Sequence, residues 1–293
     1  MERISFYDQI ARNKRNSIFL MLAVGIMIII IGYAISFIFP TEYVFFILII
    51  SITLGIIWPW IGYYNSGKMA IWSVGAKKAD SIKHRMYYNI VEGLTIASGT
   101  PMPQLYIMPG QQINAFASGR DPKNAVICVT EGCLAKLNKQ ELEGVLAHEM
   151  SHIANYDIRF MTLTTILVGI ISIMAEIFLR SLWLSDRDNN GGKSGTILIL
   201  IGVVLAIIAP IVTTLVQLAI SRKREYAADA TAVKMTRSPT GLMSALLKIK
   251  SDTAQLKVSG SVAPLFFVKP NNTMELFQTH PALDKRIEVL RKM

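Results

Sequence analysis

Two long uncharged apolar segments close to the amino terminus constrain the fold of this chain more than any other feature. Residues 16–41 and 43–67 contain no Asp, Glu, Lys or Arg. At about 1.5 Å per helical residue, each segment is long enough to cross about 30 Å of hydrocarbon. Only the turn around Pro40 and Glu42 separates them, so we predict a tight hairpin of two membrane helices. The first segment is too long for a signal peptide and lacks a small-residue cleavage site, which predicts an uncleaved anchor.

Two further segments are candidates for a second membrane hairpin. Residues 194–221 are uncharged, whereas residues 160–184 are interrupted by Glu176 and Arg180. These two residues are four apart and could pair on one helix face near a membrane surface. Alternatively, both segments form a buried hairpin that packs on the rest of the protein. The 52% of hydrophobic residues is high for a soluble domain, and the four apolar segments together predict about four transmembrane helices.

Basic residues flank the apolar segments, and their distribution predicts the orientation in the membrane. They precede the first segment, follow the second and follow the last, whereas the short turn between the first two has none. The positive-inside rule therefore predicts that both termini and residues 68–159 are cytoplasmic and that residues 186–195 lie outside. Because the basic residues cluster beside the apolar segments, we attribute the net charge of +10 to contact with a membrane surface. No nucleic-acid partner is therefore expected.

The apolar segments divide the chain into four regions. Residues 1–67 form the predicted N-terminal hairpin and residues 160–221 the second hairpin. Residues 68–159 and 222–293 are then the two cytoplasmic parts of a catalytic domain. The chain has only two cysteines, too few for a disulfide framework, so we expect reduced thiols.

Local sequence signals predict helices and a small sheet in the cytoplasmic regions. Residues 77–98 predict a helix that ends near Gly99, because prolines follow directly. Three β-rich runs, residues 104–108, 113–118 and 125–130, are separated by residues that form turns. This pattern predicts an antiparallel meander.

The stretch "LAHEMSH" contains two of the four histidines of the chain. Asn138 followed by Glu141 predicts a capped helix start before it. On that helix, His148 and His152 lie one turn apart on one face, so both imidazoles can reach one metal ion. Two neutral imidazoles are zinc ligands, and Glu149 between them would act as general base toward water activated by the zinc ion. The alternative is two surface histidines on an amphipathic helix.

A catalytic zinc ion needs a third protein ligand and one open position. Glu225 in "SRKREYAADA" is the best candidate, and Asp229 lies four residues further on. If this stretch is helical, one carboxylate can bind the metal while the other orients a ligand histidine through its second ring nitrogen. The alternative is a solvated charged face beside residues 222–224.

The motifs "HEMSH", "SRKREYAADA" and, near the carboxyl terminus, "HPALDKRI" resemble those of the HtpX-type membrane zinc metalloproteases, which are relatives of the CAAX prenyl proteases. The resemblance implies an α+β membrane protein with a mainly helical, zincin-like catalytic domain. It also implies one zinc ion per chain and a multi-pass position in a prokaryotic cytoplasmic membrane. The implied activity is cleavage of misfolded or damaged membrane proteins, as part of protein quality control. Asn114, His280 and Arg286 resemble polar positions near the active site of these enzymes.

Further candidates concern substrate binding and the transition state. "INAFASG" is a β-like run of mostly small residues around Ala117, where an extended substrate could add as a strand. The alternative is an ordinary edge strand. His280 precedes Pro281 at the start of a predicted helix, and Arg286 is under two turns further on. Both could donate to the oxyanion; alternatively, His280 is a helix-terminal contact and Arg286 a surface cation.

Two rival functions are a CAAX-type prenyl protease and a zinc-binding membrane scaffold or transporter without peptidase activity. The resemblance implies more membrane helices for the first than this chain can hold. A transporter should bury ionisable groups in its membrane spans, and the apolar segments contain only Glu176 and Arg180. Glu149 also argues against a passive metal site. The sequence does not determine the oligomeric state.

Overall fold

A computed structural model describes residues 41–163, 222–256, 265–267 and 282–293, together with Gly202 and isolated positions between residues 11 and 36. The described elements are, in chain order, α1 (Thr41–Ser73), β1 (Lys77–Lys78), α2 (Arg85–Ser98), β2 (Gln104–Met108), β3 (Ala115–Gly119), β4 (Ala125–Thr130), α3 (Glu131–Lys136), α4 (Lys139–Ala154), α5 (Arg222–Thr236), α6 (Thr240–Ser251) and α7 (Leu283–Leu290). Residues 157–163 are also helical.

α1 contains the second predicted membrane segment and extends beyond both of its ends. Of the described residues, it forms the one helix long and apolar enough to cross a membrane. The expected count of four such helices is not confirmed, because the second predicted hairpin lies almost entirely outside the described residues. The same is true of Glu176, Arg180 and the loop of residues 186–195.

Small residues on α1 bring the first apolar segment close to it. A Cβ atom added to Gly25 would lie 2.7 Å from the carbonyl oxygen of Gly55, and one added to Gly32 would overlap Ser51. Such close approach is typical of helix pairs in membranes, where small residues let the backbones meet. The two segments run antiparallel, because Gly25 lies against Gly55 whereas Gly32, later in the first segment, lies against Ser51, earlier in α1.

The sheet is mixed, so the predicted antiparallel meander is wrong. Its strand order is β1-β2-β4-β3, with β2 parallel to β4 and β3 antiparallel to β4. All six residues of β4 are buried, as expected for a central strand that is apolar on both faces. The segment between β2 and β3 passes the carboxyl end of β4, where the Thr130 hydroxyl donates to the Gln112 carbonyl at 2.6 Å. As a result, β3 pairs with the edge of β4 that faces away from β2.

The helix predicted for residues 77–98 is shorter than expected. Lys77 and Lys78 pair with β2 as β1. The Asp80 carboxylate then accepts hydrogen bonds from the backbone N–H groups of Ile82 and Lys83, both at 2.8 Å. This local turn competes with helix formation, so α2 begins only at Arg85. The end of the helix at Gly99, which has φ +67°, is confirmed.

α4 is the central helix of the core. The predicted capping box is confirmed: Asn138 Oδ1 accepts from Glu141 N–H at 3.0 Å, and Glu141 Oε2 accepts from Asn138 N–H at 2.8 Å. α4 packs between α2, α5, α6 and the sheet. Because its side chains are buried from Leu142 to Ile153 apart from Glu143, the histidine motif lies inside the protein.

Candidate metal centre

Three potential metal ligands converge between α4 and α5. His148 and His152 lie one turn apart on α4, and Glu225 faces them from the first turn of α5. The two imidazole Nε2 atoms are 3.1 Å apart. Glu225 places one carboxylate oxygen 3.6 Å from His148 Nε2 and the other 3.7 Å from His152 Nε2. All three side chains are buried, which is inconsistent with the alternatives of surface histidines and a solvated charged face.

The spacing of these atoms fits a tetrahedral metal ion. Ligand atoms about 2.0–2.1 Å from a tetrahedral zinc ion lie about 3.3–3.4 Å from one another. The observed distances of 3.1, 3.6 and 3.7 Å bracket this value. Two imidazoles and a carboxylate are also a donor set typical of catalytic zinc, which leaves the fourth position open. The three residues can therefore bind a zinc ion after a small movement of the Glu225 carboxylate, since the 3.6 and 3.7 Å distances involve its two different oxygens.

Each histidine is oriented by a buried carboxylate. His148 Nδ1 lies 2.9 Å from Asp229 Oδ1, as the sequence predicted for one histidine. His152 Nδ1 lies 3.1 Å from Asp157 Oδ2. Such contacts select the tautomer that leaves Nε2 free for a metal. Asp157 was not identified from the sequence, although a carboxylate just after α4 was a usable signal. Tyr156, with φ +59°, forms the turn that places Asp157 beside His152.

Arg286 is completely buried, so the alternative of a surface cation is wrong. Its Nε donates to Asp229 Oδ2 at 2.9 Å and its Nη2 to Asp229 Oδ1 at 2.6 Å. Burial would raise the pKa of Asp229, but the charge of Arg286 and the hydrogen bonds of the carboxylate outweigh it and lower the pKa. Arg286 therefore sits behind His148 on its Nδ1 side. This geometry suits a positioning role better than the predicted oxyanion contact. His280 lies outside the described residues.

Phe267 is a site residue that the sequence did not reveal. Its ring meets the His148 ring edge to face, with centroids 4.8 Å apart, and the Arg286 guanidinium lies 4.7 Å from its centroid. Its backbone N–H donates to the carbonyl of Ala115 at 2.8 Å. The ring thus restrains the His148 imidazole from one side. No local pattern singles out this phenylalanine, because its role depends on contacts with three distant elements.

Glu149 lies in the same buried region as the ligands. Burial raises the pKa of its carboxyl group most strongly and the charge of Glu225 raises it further. The two histidines and a hydrogen bond from the Ala117 N–H oppose this shift without cancelling it. A carboxylate whose pKa is raised toward neutral pH is a better general base than an ordinary one.

β3 lies at the edge of the sheet, but residues of the same chain cover much of its outer side. The Ala115 carbonyl is bonded to Phe267, the Ala117 N–H to Glu149, and the Gly119 N–H to Thr162 Oγ1 at 3.4 Å. Asn114, directly before the strand, is buried, and its amide nitrogen lies 3.4 Å from Gln112 Oε1. Ala117, the predicted substrate-binding residue of this strand, therefore lies next to Glu149.

The site predicts a pH dependence of metal binding. Burial lowers the pKa of His152, but the hydrogen bond to Asp157 and the charge of Glu225 outweigh it and raise the pKa to about 9 in the absence of metal. Below that pH a metal ion must displace a proton. We expect the apparent zinc affinity to rise about tenfold per pH unit from pH 7 toward pH 9, as measured against a competing chelator. A constant affinity over this range would contradict the expectation.

Comparison with known proteins agrees with this site. Residues 82–293 match peptidase family M48. The whole chain is 41% identical to a protein named Protease HtpX homolog from Caldanaerobacter subterraneus subsp. tengcongensis, covering 99% of it. It is 39% identical to the Protease HtpX homolog of Dictyoglomus turgidum, with 100% of this chain and 96% of that protein aligned.

A solved structure shares the fold. The crystal structure of S. mikatae Ste24p matches 97% of this chain and 67% of its own length, with a TM-score of 0.51 and 19% identity. The Ste24p match supports the expected relation to the CAAX protease group at the level of fold. Together with the family match over residues 82–293, these similarities show that the chain belongs to peptidase family M48 and is an HtpX-type protease.

Proposed function

We propose that this protein is a zinc-dependent membrane endopeptidase that cleaves misfolded or damaged membrane proteins on the cytoplasmic side. The observation that carries the proposal is the convergence of His148, His152 and Glu225 in one buried site, with Glu149 directly beside the histidines. A metal store or scaffold would have no use for a buried carboxylate of raised pKa at that position.

The site residues would have different roles in the reaction. Zinc, when bound to His148, His152 and Glu225, would supply Lewis-acid activation of water and of the scissile carbonyl. Glu149 would take the proton of the attacking water and pass it to the leaving amine. Asp229 would hold the His148 imidazole through Nδ1, 2.9 Å away, so that its other nitrogen stays fixed toward the metal.

The proposed peptidase can be tested on the purified full-length protein in detergent. We expect cleavage of casein or of an unfolded membrane protein, loss of cleavage after chelation, and its return with zinc. Cleavage confined to prenylated tails would instead favour the CAAX-type function. A protein that binds zinc but cleaves neither substrate would favour the non-proteolytic scaffold.

We propose the four-part organisation predicted from the sequence: a hairpin of residues 1–67, a catalytic region of residues 68–159, a second hairpin of residues 160–221 and a catalytic region of residues 222–293. The length and exposed apolar surface of α1 support the first hairpin. The ligands on α4 and α5 must share one side of the membrane, because they meet in one site.

Topology reporters test this organisation. Fusions after residue 90 and after residue 240 should both report the cytoplasm, and a fusion near Asn190 should report the outside, following the distribution of basic residues. Enzymatic reporters active on only one side of the membrane give the measurement. A cytoplasmic signal at Asn190 would remove the second hairpin from the membrane.

We propose that the substrate backbone pairs with β3 next to Glu149. Pairing through the main chain tolerates many side chains, as expected for an enzyme that cuts unrelated unfolded proteins. Phe267 and Thr162 cover the two ends of the strand. The pairing would therefore centre on the carbonyl of Ala117, because the N–H of this residue already donates to Glu149. Asn114, buried just before the strand, would support this edge.

Replacing Ala117 with proline should reduce cleavage more than zinc content or folding. Proline removes the N–H that contacts Glu149 and blocks pairing at the centre of the edge. Ala117→Gly is the matched control, because it keeps the N–H. Cleavage, zinc content and thermal unfolding should be measured on the same samples. Equal loss of all three in Ala117→Pro would indicate an ordinary structural strand.

A further inference from the structure

The apolar surface of α1 ends in a group of aromatic residues, which we call the aromatic belt: Trp58, Trp60, Tyr63 and Tyr64. Trp60 stacks on Tyr64 with centroids 5.4 Å apart, and Tyr63 meets Tyr64 edge-on at 5.3 Å. Trp60 is 53% exposed and Tyr64 51% exposed. Tyr43 lies about 30 Å earlier along the helix, which equals the thickness of the hydrocarbon core. Aromatic residues spaced in this way mark membrane–water interfaces.

Two arginines of the catalytic region lie on the aromatic belt. Arg120, from the turn after β3, places its guanidinium 4.5 Å from the centroid of the Tyr64 ring. Arg159, from the helical residues 157–163, lies 4.9 Å from the Tyr63 centroid and donates from Nη2 to the Tyr63 hydroxyl. Both cations are thus held at the level where α1 leaves the hydrocarbon.

Both guanidinium groups keep donors available for a further ligand. Arg120 uses Nε in an ion pair with Asp121 at 3.2 Å. Arg159 uses Nη2 on the Tyr63 hydroxyl, and its Nε is buried, so a phosphate would meet the terminal Nη groups of Arg159. A guanidinium carries five N–H donors in a planar fork that matches the oxygens of a phosphate.

We propose that Arg120, Arg159 and the aromatic belt bind the phosphate groups of acidic phospholipids in the cytoplasmic leaflet. The inference rests on the membrane placement proposed above. The cytoplasmic leaflet is negatively charged and attracts basic residues beside a membrane helix. The net charge of +10 and the exposed Lys68, one turn beyond the belt, complement that surface.

Lipid binding at this surface would also support the metal site. Asp157 holds the Nδ1 side of the His152 ring at 3.1 Å, and Arg159 follows two residues later on the same helical segment. A phosphate seated on Arg159 would restrain the segment that orients this ligand. The active site would then lie close to the membrane surface, near the cytoplasmic segments of membrane-protein substrates.

Native mass spectrometry of the full-length protein, with added phosphatidylglycerol or phosphatidylcholine, tests the proposal. Wild type should retain phosphatidylglycerol in preference to phosphatidylcholine. Each basic residue near an acidic membrane contributes about fivefold to binding, so the Arg120→Gln/Arg159→Gln pair should weaken phosphatidylglycerol retention about 30-fold. Lys285→Gln with Arg291→Gln removes the same charge from exposed positions in and just after α7 and should leave retention unchanged.

The single variant Arg120→Gln guards against misfolding, because Arg120 lies outside the segment that carries Asp157. It should weaken retention about fivefold with zinc content unchanged. Wild-type retention by this variant at normal zinc content, or an equal loss in the α7 control, would overturn the proposal. Displacement of the lipid by inorganic phosphate would also overturn it, since it would indicate a free-phosphate site. Lipid retention needs no hydrolysis, so its failure is distinguishable from failure of the proposed peptidase.

Discussion

Glu149→Gln should abolish nearly all peptide hydrolysis while the protein keeps its zinc ion. The amide has nearly the shape of the carboxylate but cannot accept the proton of the attacking water. His148, His152 and Glu225 stay in place. General-base catalysis contributes about 10²- to 10⁴-fold, so we expect kcat to fall by about three orders of magnitude.

The measurement is single-turnover cleavage of an unfolded substrate, with zinc content determined on the same preparation. Glu143→Gln is the matched control, because Glu143 lies on the same helix, about two and a half turns before His152 and outside the ligand group. The control should retain activity. Near-normal kcat in Glu149→Gln would exclude this residue as the base. Loss of zinc in the same variant would mean that it acts on metal binding instead.

Glu225→Ala should weaken zinc binding itself. It removes one of three ligands and leaves two buried imidazoles without the carboxylate that faces both of them at 3.6 and 3.7 Å. Loss of a partner that only orients a ligand costs about 10- to 100-fold in metal affinity. Loss of the ligand should cost more, and activity should fall with zinc occupancy.

Zinc affinity against a competing chelator tests this expectation. Asp229→Asn is an informative comparison, because it keeps all three ligands and changes the group 2.9 Å from His148 Nδ1, which also pairs with the buried Arg286. It should lose about 10- to 100-fold in affinity, less than Glu225→Ala. One tightly bound zinc ion with normal activity in Glu225→Ala would show that the third ligand is another residue.

Local patterns predicted the motif helix well. The capping pair Asn138 and Glu141 defined where α4 begins, and helical periodicity put His148 and His152 on one face. Both features depend on residues within a few positions of one another, so tertiary packing did not change them. The role of Glu225 was predicted because catalytic zinc requires a third protein ligand. No local pattern around Glu225 indicated that role.

Features that depend on distant contacts were predicted less well. A turn after β2 suggested a hairpin, but the apolar β4 took the central position and made the sheet mixed. Arg286 was predicted to donate to the oxyanion, with a surface cation as the alternative, because its own helix does not show that Asp229 lies across the core from it. Asp157 and Phe267 acquire their roles only when the turn after α4 and the segment after α6 fold back onto the histidines.

The proposed function depends on His148, His152 and Glu225 holding one zinc ion together. X-ray absorption spectroscopy of the zinc-loaded, full-length protein tests it most directly, because it reports the atoms bound to the metal. We expect one zinc ion per chain, surrounded by nitrogen and oxygen at about 2.0–2.2 Å, with an imidazole signature and no sulfur at about 2.3 Å. Glu225→Ala should change this spectrum, whereas Glu149→Gln should preserve its nitrogen and oxygen shell. Sulfur ligation, or the same spectrum for wild type and Glu225→Ala, would show that these three residues do not form the zinc site.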